Sequence, residues 1–174
     1  ELGGLDILVN NAGGTRMGPL ATLPTKAWDA GFDLKVRSAY LCTREAGHHF
    51  LEQRSGAIVN ISSGAGVSGV KGGAHYSAAK AALESHCRQL AMELALLDAG
   101  VAVNAIRAGV TETPALRKIP EAARVIEHTL ARNPHGRLTT VEDVADAILT
   151  LASTDSDWIN GNIINVDGGE FHTG

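Results

Sequence analysis

The chain has no run of basic residues. Its 15 Lys and Arg are outnumbered by 19 Asp and Glu, for a net charge of −4. That balance excludes a nucleic-acid-binding surface of the usual electrostatic kind. No apolar run approaches the length of a membrane span. There are two cysteines, Cys42 and Cys87, both in helical stretches. They suggest no disulfide framework. Cys87 falls in an apolar stripe and reads as a packing residue. Seven histidines are scattered along the chain, and His48 and His49 are adjacent. Neighbours on a helix point in different directions, so no metal site is expected. Internal repeats, linkers and low-complexity tracts are also missing.

What is there is ordinary globular material, 44% hydrophobic and 20% charged, of a length that suits one domain over 1–174. Four short runs rich in Val and Ile, at 5–10, 56–61, 101–106 and 162–166, read as buried parallel strands. Long helical patterns separate them, at about 25–53 and 73–98. The alternation argues an α/β fold with crossover connections. In the second helix Leu83, Cys87, Leu90, Leu94 and Leu97 recur at 4-3-4-3 spacing and predict a core-facing stripe. Gly100 suits a helix C-cap. Residues 107–140 read as loop and short helices. Thr140 to Asp143 can cap a last helix running to about residue 153.

The chemistry-bearing pattern is Ser63-x12-Tyr76-x3-Lys80. Positions i and i+4 share a helix face, so an ammonium is held beside a phenol. A free phenol titrates near pH ~10 and is a poor proton carrier at neutral pH. A fixed cation favours the phenolate, and so does the positive end of a helix if Tyr76 lies in its first turn. Ser63 can offer a hydroxyl to a substrate oxygen. Alone, the Tyr–Lys pair would read as a half-exposed helical pair.

It does not stand alone. LDILVNNAG at 5–13 precedes it and GAIVNISS at 56–63 leads into it. VAVNAI at 101–106, then Gly109 to Thr113, and NIINVDGG at 162–169 follow. In this order and spacing the chain resembles the short-chain dehydrogenase/reductase family over nearly all its length. The resemblance implies a doubly wound, Rossmann-type parallel sheet. It implies an NAD(P)-dependent oxidoreductase interconverting a carbonyl and an alcohol on a small-molecule substrate. Ser63, Tyr76 and Lys80 would be catalytic, with Tyr76 as acid/base. Tyr76 and Lys80 would also touch the cofactor, NAD or NADP. Asn10, Ala12 and Gly13 would line its adenine-ribose side. Gly109, Thr111 and Thr113 would contact its nicotinamide and phosphate. The turn at Asp167 to Gly169 reads as structural. A homodimer or homotetramer and a cytoplasmic location are also implied.

The sequence departs from the family in three ways. No Gly-rich turn follows a strand to receive a pyrophosphate. By resemblance, roughly 70–80 residues in three strand–helix units would precede the chain. The chain would then supply strands 4 to 7 of the sheet order 3-2-1-4-5-6-7, an N-terminally truncated form. Alone it would be inactive and prone to associate at an open edge. The NAD-versus-NADP determinants would lie in the preceding part. Second, Ala108 stands where the family usually has Pro. Third, Lys35 stands at the position of a family Asn whose main-chain carbonyl holds a water leading to the catalytic lysine. Its ammonium would be a like charge near Lys80 unless it points to solvent. That substitution keeps a rival open, a catalytically silent binding or scaffold protein on the same fold. Enoyl reductases of the family place their tyrosine seven residues before the lysine; here Gly73 occupies that position, which disfavours enoyl chemistry.

Overall fold

In the computed structural model, residues 3–14, 17–119, 121–153 and 158–172 are described. Strands β1 (Ile7–Asn10), β2 (Gly56–Ser63), β3 (Val101–Ala108) and β4 (Ile163–Val166) form one parallel sheet in the order β1-β2-β3-β4. The register pairs Asn10 with Asn60 and Ser63 with Ala108. All the C-terminal strand ends therefore meet at one edge, where open α/β sheets bind ligands.

Both faces of β2 and β3 are covered, which is why these strands read as continuous apolar runs rather than alternating ones. On one face Ile58, Val103 and Ala105 pack against α2 (Ser38–Gln53) and α3 (Ala74–Leu96) through Ala46, Phe50, Cys87, Ala91 and Leu94. On the other, Val59, Ile106 and Ile164 pack under α5 (Val141–Ala152) through Ala147, Ile148 and Leu151. Strand β1 is covered on one side only. Leu8 joins the first cluster, while Ile7 and Val9 on the opposite face are 43% and 37% exposed.

Several boundaries differ from the sequence expectation. The pattern at 25–53 is not one regular helix. Helix α1 (Thr25–Phe32) passes into a π-helical turn, Asp33–Arg37, and then into α2. The wide turn closes with the Ser38 N–H donating to the Asp33 carbonyl. No proline or glycine marks it, so periodicity could not have located it. The α3 stripe ends at Leu94; Leu97 lies past the helix end and is exposed. Gly100 is not the cap of α3. Asp98 takes the left-handed conformation there, at φ 50. Gly100, at φ 65, makes the turn into β3, where a side chain would strike the Arg54 carbonyl. A further helix, α4 (Ala122–Arg132), lies within the segment read as loop and short helices. The cap at Thr140 is as expected, a reciprocal pair between Thr140 and Asp143. Among the described residues, no helix is long and apolar enough to cross a membrane.

Candidate active site

Three elements converge at the C-terminal end of β2. Ser63 is its last residue and caps a short 3-10 turn, its hydroxyl accepting from the Ala65 N–H at 3.3 Å. Tyr76 lies in the first turn of α3. Lys80, one turn later, is 7% exposed and donates to the Ile61 carbonyl. The Ser63 hydroxyl is within hydrogen-bonding reach of the Tyr76 phenol. The Lys80 ammonium lies 5.8 Å from the centre of the Tyr76 ring. The structure thus brings Ser63, Tyr76 and Lys80 together.

The electrostatics depart from the sequence expectation. Burial pushes the Tyr76 phenol above its ordinary value, and the Ser63 hydrogen bond offsets this only in part. The Lys80 ammonium, 5.8 Å from the ring centre, does not outweigh the loss of water. Lys80 itself is driven down to about 8, chiefly by burial, then by the Lys35 charge, with Glu84 opposing. The phenol therefore holds its proton while the lysine releases its own more readily.

Lys35 is a further polar side chain of the cleft. It sits in the π turn, is 2% exposed, and donates to the Gly14 carbonyl. Its ammonium is 5.4 Å from the centre of the Tyr76 ring. Burial lowers its pKa. The ammonium thus points into the cleft and not to solvent. π turns recur at functional sites because they re-aim one side chain within a helix.

The other expected contacts divide. Ala12 and Gly13 lie exposed after β1. Ala12, with Asn10, Asn11, Lys35 and Lys80, lines a cleft of about 120 Å³. The Asn10 amide is occupied inside the fold, donating to Asn60 at 2.9 Å and Thr43 at 3.2 Å. Gly109 is required by packing: a side chain there would strike Thr139 and the Asp167 backbone. The Thr111 hydroxyl donates to the Gly109 carbonyl at 3.0 Å, and the Thr113 hydroxyl accepts from the Leu116 N–H at 3.2 Å. Asp167 closes its own turn through the Gly169 and Phe171 N–H groups.

Sequence reasoning missed one group altogether. Glu84, one turn beyond Lys80 on α3, is 2% exposed. It accepts two hydrogen bonds from the Arg107 guanidinium, at 2.8 and 2.7 Å, and one from the Ser62 hydroxyl at 2.8 Å. Burial raises the Glu84 carboxyl, but the bonds and charge of Arg107 and Ser62's bond outweigh it and hold the pKa low. This network ties α3 to β2 and β3 next to Ser63. A carboxylate inside an apolar helix stripe was the available signal.

A family model described as enoyl-(acyl carrier protein) reductase matches residues 1–170. The chain is 40% identical over 169 residues to the 3-oxoacyl-(acyl-carrier-protein) reductase FabG of Thermotoga maritima, covering 97% of this chain and 67% of that protein. It is 39% identical over 170 residues to the cis-4-hydroxycyclohexanecarboxylate dehydrogenase of Sinomonas cyclohexanicum, covering 97% and 67%. A gluconate 5-dehydrogenase from Burkholderia cenocepacia, solved in complex with NADP and tartrate, superposes with a TM-score of 0.93 at 29% identity, covering 99% of this chain and 67% of that one. The chain spans about two thirds of the length of the curated relatives it matches. With the family model matched almost end to end and relatives at this identity, the chain belongs to the short-chain dehydrogenase/reductase family.

Proposed function

We propose that this chain carries the proton-handling part of an NAD(P)-dependent oxidoreductase that interconverts a carbonyl and an alcohol. The observation that carries the reading is Tyr76, in the first turn of α3, within reach of Ser63 and next to Lys80. Solved relatives bound to NADP, and relatives named as reductases of 3-oxoacyl carrier proteins and as hydroxy-acid dehydrogenases, support it.

The residues fit a nicotinamide ribose. The Lys80 ammonium has three N–H donors, and among the described residues one acceptor, the Ile61 carbonyl, is in place. It lines the same cleft as Ala12 and Asn11. Lys80 would hold the ribose hydroxyls, which accept hydrogen bonds, and the exposed backbone at Ala12 and Gly13 would face the adenine side. When bound, such a cofactor supplies the hydride.

The protein's own part is proton transfer. The Ser63 hydroxyl donates to the substrate carbonyl oxygen and fixes it next to Tyr76. Because burial keeps Tyr76 protonated, its hydroxyl is a donor at neutral pH. It gives its proton to the oxygen as negative charge develops there, which favours the reductive direction. Lys80, still an ammonium at neutral pH but with its pKa lowered to about 8, stabilises the phenolate and then returns a proton to it. Gly73 in place of a second tyrosine favours carbonyl over enoyl chemistry. A homodimer or homotetramer of the whole protein belongs to the same reading.

The test is Tyr76→Phe in the whole gene product, assayed for reduction of 3-oxoacyl thioesters with NADPH and NADH. The loss should be roughly 10²–10⁴-fold in kcat with cofactor affinity retained. Near-normal turnover in the variant would refute the assignment. Absence of any turnover in the unaltered protein over a panel that also includes gluconate-type hydroxy acids would favour a silent scaffold.

A further inference from the structure

We infer that Lys35 is a positioning residue of this site: fixed on the Gly14 carbonyl, its ammonium forms with Lys80 a pair of cations close to the Tyr76 ring. The inference rests on the proton-transfer reading of Tyr76 and adds to it a residue that the family pattern does not supply. Three observations carry it. Both ammonium groups lie within 6 Å of one ring centre, at 5.4 and 5.8 Å, the range in which a cation is drawn to an aromatic face. Both side chains are almost fully buried, at 2% and 7% exposure. Among the described residues each is met by one main-chain carbonyl, Gly14 for Lys35 and Ile61 for Lys80. A buried ammonium is costly unless a counter-charge faces it.

Among the described residues the surroundings supply little counter-charge. On α3 the titratable neighbours are His75, Tyr76, Lys80 and Glu84. From the end of β3 comes Arg107, already bound to Glu84. From β2 come the neutral hydroxyls of Ser62 and Ser63. Helix α1 packs Gly31 against His75. The Lys35 charge lowers both His75 and Lys80, in each case after burial. Glu84 alone pulls Lys80 the other way, and its charge is shared with Arg107.

Two like charges in one cleft compete for protonation. Lys35 thus acts through Lys80, by keeping the Lys80 proton transferable towards Tyr76. At the same time its bond to Gly14 ties the loop after β1 to the π turn, so that the loop and the ring are set by one side chain.

The experiment is an NMR titration of the lysine Cε signals of this chain, which has five lysines. In the unaltered protein Lys80 should titrate near about 8. In Lys35→Met its midpoint should climb by about 1 pH unit, and Lys35→Arg, which keeps the charge, should bring it back. Because the coupling is reciprocal, Lys80→Met must raise the Lys35 midpoint to the same extent. That arm does not depend on the folding of a Lys35 variant. Midpoints that stay put in both directions overturn the inference. None of these signals requires turnover. Coupled midpoints in a protein that reduces no carbonyl would uphold the lysine pair and refute the enzymatic reading, and unmoved midpoints in an active enzyme would do the reverse.

Discussion

Two charged groups lie one turn apart on the same helix and are treated in opposite ways. Glu84 is buried and fully answered: the Arg107 fork takes both its oxygens and Ser62 adds a third bond. Lys80 is buried and scarcely answered: among the described residues it has one carbonyl acceptor and a second ammonium in the same cleft. The first arrangement satisfies a charge so that it does nothing but hold α3 to β2 and β3. The second leaves a charge poorly satisfied where a ligand is to arrive. Strain of that kind persists when the surrounding structure over-determines it, and it clusters at functional sites. The Glu84 network, immediately beside Ser63 and Lys80, is what does the over-determining here.

The contrast can be broken most forcefully at Arg107. Arg107→Met leaves Glu84 buried without its partner, and such half-pairs cost about 3–5 kcal/mol. Urea unfolding should show that loss as a lower midpoint at unchanged slope. Replacing both members, Glu84→Leu with Arg107→Met, should recover most of it, because the isolated charge is then gone. A loss below about 1 kcal/mol in the single variant would mean that the bidentate pair is no more than a surface contact.

The second way to sharpen it uses pH. Lys80 is at about 8 in the folded chain against 10.5 when free. Below pH 8 it is protonated in both states, and the folded chain bears the whole cost of the buried ammonium. As pH rises through 8 the folded state sheds its proton first, so stability on this account rises until about 10.5. That gap corresponds to about 3 kcal/mol. Cys87 works against it: burial pushes its thiol from 9.0 up to about 11, so the folded state loses stability above pH 9. The comparison with Lys80→Met separates the two. That variant should be the more stable at pH 7, and its advantage should shrink by about 3 kcal/mol as pH reaches 10.5. An advantage that does not change with pH would show that Lys80 is already well satisfied.

The sequence disclosed these regions unequally. The four strands, their parallel pairing and the capping box at Thr140 follow from runs and spacings, which report local preference. The meeting of Ser63, Tyr76 and Lys80 follows from one helical step and one strand end. The direction of the Tyr76 shift did not follow, because burial is a property of the packed site and not of spacing. The inward turn of Lys35 was equally hidden, since it depends on a π turn that no punctuating residue announces. Glu84 and Arg107 are 23 positions apart and come together only through the crossover from α3 to β3. Asn10, Gly109, Thr111 and Thr113 were read as cofactor contacts, yet all four have local structural roles that would constrain them without any ligand. The motif alone could not separate the two demands.

The smallest expected effect tests the comparison from outside the site. Arg137 and Asp143 form a third charged group, a fork at the start of α5 with bonds of 2.5 and 3.0 Å. Arg137 and the Thr140 N–H hold the Asp143 carboxyl well below the usual carboxylate range. Its folded value is depressed, so whatever it contributes is present above pH 3.8 and fades as pH falls below that. Water screens this pair, and exposed ion pairs contribute little. The cap hydrogen bond is the part that counts. Thr140→Ala removes the acceptor for the Asp143 N–H at 3.1 Å and should cost about 1 kcal/mol. Arg137→Ala should cost less than that. The ordering expected in urea unfolding is therefore Arg107, then Thr140, then Arg137. If Arg137→Ala proved as damaging as Arg107→Met, burial would not be what separates a structural charge from a decorative one, and the distinction drawn between Glu84 and Lys80 would lose its physical basis.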